Sequence, residues 1–388
     1  MAHITTFRVE GLAGRAEPIE MRLDRGVNIF WGFNGSGKTS LLRILDSALT
    51  NDASSIRRVP YRSATVEITT EMYGPITRTI SWDSTPSELE PDSLANLTWQ
   101  ERAIVEQELD AGRRWPRWQT ATTPEIPAEV VRRLRHIYLP ISRIAAFDPR
   151  ERRYTASDTI DEETFDRMFV QQITERWRNY NNSALANVRR IQEQGLGEIL
   201  SLLFGGVSNS KRSRRAPNTP ADSAYALVRD YLRSQNIGVR FNRSSFAERY
   251  SNSPELQAVV ERIGVVTDQV LAVLEPQRNF QELLEDLFGG RKNLELDPRG
   301  IHVTIGDEEI SLMSLSSGEK QLLQILLSAL AGEESSVIID EPELSMHVDW
   351  QLRLVRSMRL LNPDCQLILA THSPEVMANV PDRFVHQL

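Results

Sequence analysis

The eight residues Gly32-Phe33-Asn34-Gly35-Ser36-Gly37-Lys38-Thr39 constrain this chain more than any other stretch. Glycines at three of the positions let successive backbone N–H groups turn inward and close around an anion. The loop follows an apolar run, Val27-Asn28-Ile29-Phe30-Trp31. It precedes Leu41, Leu42, Ile44, Leu45, Ala48 and Leu49, which recur at helical spacing. Strand, glycine loop and helix together are the setting in which phosphate groups sit on a helix N-terminus. The expected phosphate-binding set is Gly32, Asn34, Gly35, Ser36, Gly37, Lys38, Thr39 and Ser40. Lys38 supplies a point charge to the β and γ phosphates, and the Thr39 hydroxyl is a ligand for Mg²⁺.

A loop of this kind needs an acid at a second site. Val337-Ile338-Ile339-Asp340-Glu341 supplies one, an apolar strand ending in two carboxylates. Asp340 is expected to hold Mg²⁺ and Glu341 to polarise the attacking water. Leu315 to Gln321 reads Leu-Ser-Ser-Gly-Glu-Lys-Gln and heads an amphipathic helix. Ser316 with Glu319 makes a capping box, and a capped helix start with Gly318 is also a phosphate clamp. Ala370-Thr371-His372-Ser373-Pro374 follows another buried strand, where His372 is placed to reach a γ-phosphate.

The rest of the chain divides around these motifs. At 388 residues it has room for two to three domains, and with 40% hydrophobic and 25% charged residues it is not wholesale disordered. Strand-like alternation at Phe7 and Val9, then Val66, Ile68, Ile76 and Ile80, predicts antiparallel strands beside the glycine loop. Residues 150–216 lack proline, and Phe165, Met168, Phe169, Ile173, Trp177 and Tyr180 recur at helical intervals. A Gly-, Ser-, Pro- and Arg-rich break at 205–221 reads as a mobile basic loop. Ser253-Pro254-Glu255 opens a second helix whose seam runs Leu256, Val259, Ile263, Val266, Val270 and Val273. Pro276 is expected to end it and Phe280 to begin another. After residue 293, apolar strands at 301–305, 337–339 and 367–369 alternate with helices, which predicts a parallel sheet covered on both faces. The boundaries expected are residues 1–149 and 293–388 for one α/β head, with a helical insertion over 150–292.

Charge and cysteine narrow the class further. Cys365 stands alone, so no internal disulfide and no multi-thiolate metal site is possible. No apolar run reaches the ~18 residues of a membrane span, and Arg8, Glu10 and Arg15 interrupt any secretory leader. A cytoplasmic protein without a membrane partner is expected. The net charge is −8, yet residues 111–153 hold ten Arg against four acids and 205–250 nine cations against three. Such segregation marks either a polyanion-binding surface or pairing with acids elsewhere in the fold. Arg113-Arg114-Trp115-Pro116-Arg117-Trp118 interleaves cations with aromatics, and Lys211-Arg212-Ser213-Arg214-Arg215 is a basic run. Both are candidate DNA or RNA contacts, or else plain solvated segments. Asp158, Asp161, Glu162, Glu163 and Asp166 are an acidic cluster that suits the first turns of a helix better than a metal site.

In this order the four motifs resemble those of the ABC-type ATPase superfamily, over roughly residues 1–80 and 293–388. Glu341-Pro342-Glu343, His347, Trp350-Gln351 and the Gly-Glu-Lys-Gln signature resemble its SMC, RecF and OLD-like branch. The resemblance implies a P-loop ATPase head with a mixed, largely parallel sheet, ATP and Mg²⁺ as ligands, and hydrolysis to ADP and phosphate. It also implies that Ser316, Gly318 and Glu319 meet ATP bound by a second copy, with Leu344 to His347 crossing the interface and His372 as the switch histidine. No coupling glutamine is assigned, and Arg143 stands nearest that role. The insertion is too short for SMC coiled coils, and with 16 residues after His372 a C-terminal nuclease is not expected. Heads of this kind are similar to the PtuA-like and AriA-like ATPase subunits of bacterial anti-phage systems, which implies a nucleic-acid-linked switch acting on a separate effector. A RecF-like repair ATPase is the near alternative, and the energising subunit of a membrane transporter the distant one.

Overall fold

The computed structural model describes residues 2–82, 116–123, 134–140, 162–204, 219–235, 237–238, 241–289, 292–332 and 335–388. Arg113 to Trp115, residues 211–215, Arg143, Asp158 and Asp161 lie outside the described residues. No helix among those described is long and apolar enough to cross a membrane. The chain divides into two compact units, Met1–Gln171 with Ser311–Leu388, and Gln172–Ile310.

In the first unit, β1 (Ala2–Glu10), β2 (Ile19–Arg22), β4 (Ser63–Thr70), β5 (Gly74–Ser81) and β6 (Gln119–Thr122) form an antiparallel sheet in the order β2-β1-β4-β5-β6. A second sheet is built from β3 (Val27–Trp31), β7 (His136–Leu139), β11 (Ser336–Asp340), β12 (Gln366–Thr371) and β13 (Val385–Gln387), numbering strands through the whole chain. Its order is β13-β3-β12-β11-β7, and every pair within it is parallel. All residues of β11 and β12 are buried, as unbroken apolar strands covered on both faces require. Helix α1 (Lys38–Thr50) lies between the two sheets: Leu41, Leu42, Ile44, Leu45, Ala48 and Leu49 share a core with Val66, Ile68 and Ile76 on one side and Phe30, Ile338 and Ile368 on the other. Trp118 belongs to this core and donates its indole N–H to Ser47 Oγ at 2.8 Å. That burial corrects the expectation that Trp118 offers a ring for base stacking.

The second unit takes up most of α2 (Glu162–Phe204), then α3 (Ala221–Ser234), α4 (Arg243–Asn252), α5 (Pro254–Phe288), β8 (Asn293–Leu296), β9 (Ile301–Ile305) and β10 (Glu308–Ile310). Ser253 caps α5 by accepting from Leu256 N at 3.2 Å. Trp177 of α2 stacks on Phe280 of α5, with centroids 6.2 Å apart, and Gly195 meets Val266 so closely that a Cβ there would collide. Contrary to the expectation, Pro276 does not end its helix; α5 runs on to Phe288. Phe280, Leu283, Leu284 and Leu287 continue the stripe of Val259, Ile263 and Val266, and all are buried. Their burial, about 1.5–3 kcal/mol each, outweighs the ~3 kcal/mol that an interior proline costs a helix. The strand at 301–305 joins β8 and β10 in a separate antiparallel sheet, not the parallel one.

Helices α6 (Ser317–Ala331), α7 (Val348–Leu361) and α8 (Pro374–Met377) complete the first unit. The crossover α6 and α7 flank β11, which is the alternation a parallel sheet demands.

Candidate functional site

Three adjacent parallel strands deliver their carboxyl ends to one edge of the sheet. Thr371 of β12 is paired with Trp31 of β3, and Asp340 of β11 with Ala370 of β12. The glycine loop leaves β3 there, Glu341 leaves β11, and His372 leaves β12. Open α/β sheets bind ligands at this edge because the chain reverses there and helix N-termini point inward.

The loop itself is shaped by glycine. Gly35 and Gly37 adopt φ of 83° and 95°, which side-chain-bearing residues rarely take. At Gly32 a Cβ would stand 2.6 Å from the Leu388 carbonyl oxygen. Gly37 serves as N-cap of α1 without any side-chain cap, so the first N–H groups of the helix are left for an external acceptor. Lys38 is buried and curls back, donating to the carbonyls of Gly32 at 2.8 Å and Phe33 at 3.2 Å. Arg15 donates to Ser36 O at 3.3 Å from the neighbouring turn.

Opposite the loop, Asp340 is 3% exposed. Burial pushes its carboxyl up to about 6, with Glu341 adding to the rise and Thr39, Arg43 and Lys38 opposing it. The Thr39 hydroxyl stands close enough to Asp340 to favour its charge, yet neither Asp340 oxygen nor the Ser36 hydroxyl, all buried, has a well-formed hydrogen bond among the described residues. Buried carboxylate oxygens in such a state fit a hard cation, and hydroxyl and carboxylate donors are the set Mg²⁺ takes. Thr39 and Asp340 would hold it. The described residues contain no cluster of three or more His, Cys, Asp and Glu able to hold a metal alone, and the acidic run expected at the head of α2 is used otherwise: Glu163 pairs with Arg167 and Asp166 with Lys320.

Glu341 sits at φ 48°, a left-handed conformation uncommon for its type, and its N–H donates to Ala370 O at 2.8 Å. That bond extends the β11–β12 ladder by one rung while turning the Glu341 side chain out of the strand line. His372 Nδ1 lies 3.6 Å from Glu341 Oε1 and 3.2 Å from Glu343 Oε1. Glu343 is the residue sequence reasoning passed over as a family mark. It is buried, and its Oε1 accepts from Thr371 Oγ1 at 2.7 Å, His372 N at 2.8 Å and Ser373 N at 3.2 Å. The available signal was a second acid two positions after Glu341, behind a proline that holds the turn.

The signature residues gather elsewhere in the same unit. Ser316 and Glu319 form the expected capping box, with Ser316 N donating to Glu319 Oε2 at 2.6 Å and Glu319 N to Ser316 Oγ at 3.3 Å. Gly318 is pressed against the Ser345 carbonyl oxygen, so that any Cβ would strike backbone, and Ser345 itself takes φ 59°. Gln321 Nε2 donates to Pro342 O at 2.7 Å. Helix α6 is thereby locked to the 341–346 loop, and through it to Glu341 and Glu343.

Residues 27–378 match the family described as "AAA domain, putative AbiEii toxin, Type IV TA system". Over 85 residues the chain is 38% identical to the "Retron Vc95 probable ATPase" of Vibrio cholerae, which is 19% of this chain and 16% of that protein. Among solved structures, the Smc head domain with an extended coiled coil from Pyrococcus furiosus aligns over 98% of this chain and 92% of its own, with TM-score 0.44 and 14% identity. The Thermotoga maritima SMC head aligns over 99% and 94%, with TM-score 0.40 and 12% identity. With a P-loop, a strand-end acid pair and a signature helix all inside the matched span, the chain belongs to this AAA-domain ATPase family.

Proposed function

We propose that this protein binds and hydrolyses ATP as a switch, closing head to head with a second copy around Mg²⁺–ATP. The carrying observation is the meeting of the glycine loop, the buried Asp340 carboxylate, Glu341 and His372 at one sheet edge. In this reading the N–H groups at the start of α1 and Lys38 bind the phosphates, Lys38 by leaving the carbonyls it now holds. Asp340 and Thr39 would hold Mg²⁺, whose chemistry when bound is to neutralise phosphate charge. Glu341 takes the proton of the attacking water, and His372 holds the γ-phosphate. One face of the phosphates stays wet until Ser316, Gly318 and Glu319 of a second copy cover it.

The biological setting proposed is that of an ATPase subunit in a bacterial anti-phage system, acting on a separate effector in a nucleic-acid-linked process. The family description, naming a toxin of a type IV TA system, and the resemblance to a retron ATPase support it. Nucleic-acid contact would rest on 211–215 and on what remains of 113–118 once Trp118 is withdrawn. Turnover with Mg²⁺–ATP tests the catalytic core. Lys38→Ala is expected to lose ATP binding, and Glu341→Gln to bind ATP while turnover falls ~100- to 1,000-fold. Wild-type turnover in the Glu341→Gln protein would remove Glu341 from the base role.

A further inference from the structure

Three hydrogen-bond donors converge on a single oxygen, and a ring nitrogen stands beside it. Thr371 Oγ1, the backbone N–H groups of His372 and Ser373, and His372 Nδ1 all face Glu343 Oε1, at 2.7, 2.8, 3.2 and 3.2 Å. The Glu343 side chain is only 6% exposed, whereas that of His372 is 47% exposed. A buried carboxylate is costly unless its charge is used, and here it organises the turn that carries the exposed ring. The turn is braced from its other side as well. Ser373 Oγ donates to Gln351 Oε1 at 2.7 Å, Gln351 Nε2 donates to Met346 O at 2.8 Å, and Ser373 Oγ caps Val376 N. Glu343 and Gln351 flank the 344–346 loop, against which Gly318 is pressed.

From this geometry we propose that Glu343 is the positioning residue for His372, a deepening that rests on the ATPase reading given above. With its Oε1 3.2 Å from Nδ1 and bonded to the backbone of the turn, it fixes where the ring sits and favours a proton on Nδ1, leaving Nε2 for a group on the substrate. It also competes with Glu341 for the same ring nitrogen, 3.2 Å against 3.6 Å, which keeps Glu341 free to engage water. Because Glu343 is anchored in the loop that α6 packs against, movement of the signature helix reaches His372 through it.

The test compares Glu343→Ala, Glu343→Gln and Glu343→Asp in the full chain. Three quantities are read: steady-state Mg²⁺–ATP turnover, equilibrium nucleotide affinity, and the His372 ring tautomer by ¹⁵N NMR of histidine-labelled protein. A His372→Gln sample assigns the signal. Glu343→Ala is expected to lose ~10- to 100-fold in kcat, with nucleotide affinity within about threefold of wild type. Its His372 ring should shift toward the Nε2–H tautomer. Glu343→Gln keeps an oxygen in place and should recover most of the rate and the Nδ1–H tautomer. Glu343→Asp keeps the charge but withdraws the oxygen, and should behave like alanine. Unchanged kcat and tautomer in Glu343→Ala overturn the proposal, as does a loss of affinity equal to the loss of rate. Should the alanine protein fail to fold, the contrast between Gln and Asp decides. If the wild type does not hydrolyse ATP yet the tautomer follows Glu343, the ATPase reading fails and the positioning role stands.

Discussion

Gln366 shows how much a single side chain decides at the residue scale. It is buried at the start of β12, its Oε1 accepts from Ile4 N at 2.9 Å, and its Nε2 donates to Ile4 O at 2.7 Å. The amide thus completes β1 beyond Arg22, where the antiparallel β2 has already ended, and Ser336 Oγ donates to the same Oε1 at 3.0 Å. A polar residue at the head of an apolar strand looks like a solvated strand end when read alone. Its value exists only because β1 and β12, 362 residues apart, meet there. Gln366→Leu leaves the Ile4 N–H and carbonyl buried without partners and is expected to destabilise the protein by about 2–4 kcal/mol in urea titration. A loss under about 0.5 kcal/mol would show that water reaches Ile4. Glu343 belongs to the same class: its chemistry was unreadable until Thr371, His372 and Ser373 were seen to fold over it.

Among the elements, α6 carries two jobs. Its first turn is the signature, and Lys320 in that turn holds Asp166 at 2.6 Å, with both side chains largely shielded. Asp166 lies in the second turn of α2, whose later residues build the second unit. The pair therefore ties the first turn of α6 to the root of the long helix. A double-mutant cycle on Lys320→Ala and Asp166→Ala is expected to give a coupling of about 1–3 kcal/mol in equilibrium unfolding. Additive single effects would reduce the pair to a solvated contact. The helices themselves were largely legible: apolar residues at three- and four-residue steps, the Ser253 and Ser316 caps, and the proline-free stretch are local signals. Pro276 misled because helix propensity is a local cost, whereas the burial of Phe280, Leu283 and Leu284 is tertiary.

For the whole molecule, the proposed mechanism requires two copies, each giving half of the site. Ser316→Arg places a long cation where a second copy's nucleotide would pack, and should abolish ATP-dependent dimerisation in light scattering while nucleotide affinity of the monomer is kept. Dimerisation equal to wild type would mean that the signature turn does not face a partner. What the amino-acid order determined unaided was the set of short-range devices: the glycine loop with Lys38 and Thr39, the acid pair at the end of β11, the capping box, and the α/β alternation. Each is encoded within a handful of neighbouring residues, where backbone sterics and hydrogen bonding act directly. What only the tertiary structure decided was which of these meet. The parallel pairing of β3, β12 and β11 brought Lys38, Asp340 and His372 to one edge and put Glu343 beneath the His372 turn, while the packing of α1 against the antiparallel sheet buried Trp118. Those contacts join residues far apart in the chain, and their energy comes from excluding water around groups that, taken one at a time, are equally content in solvent.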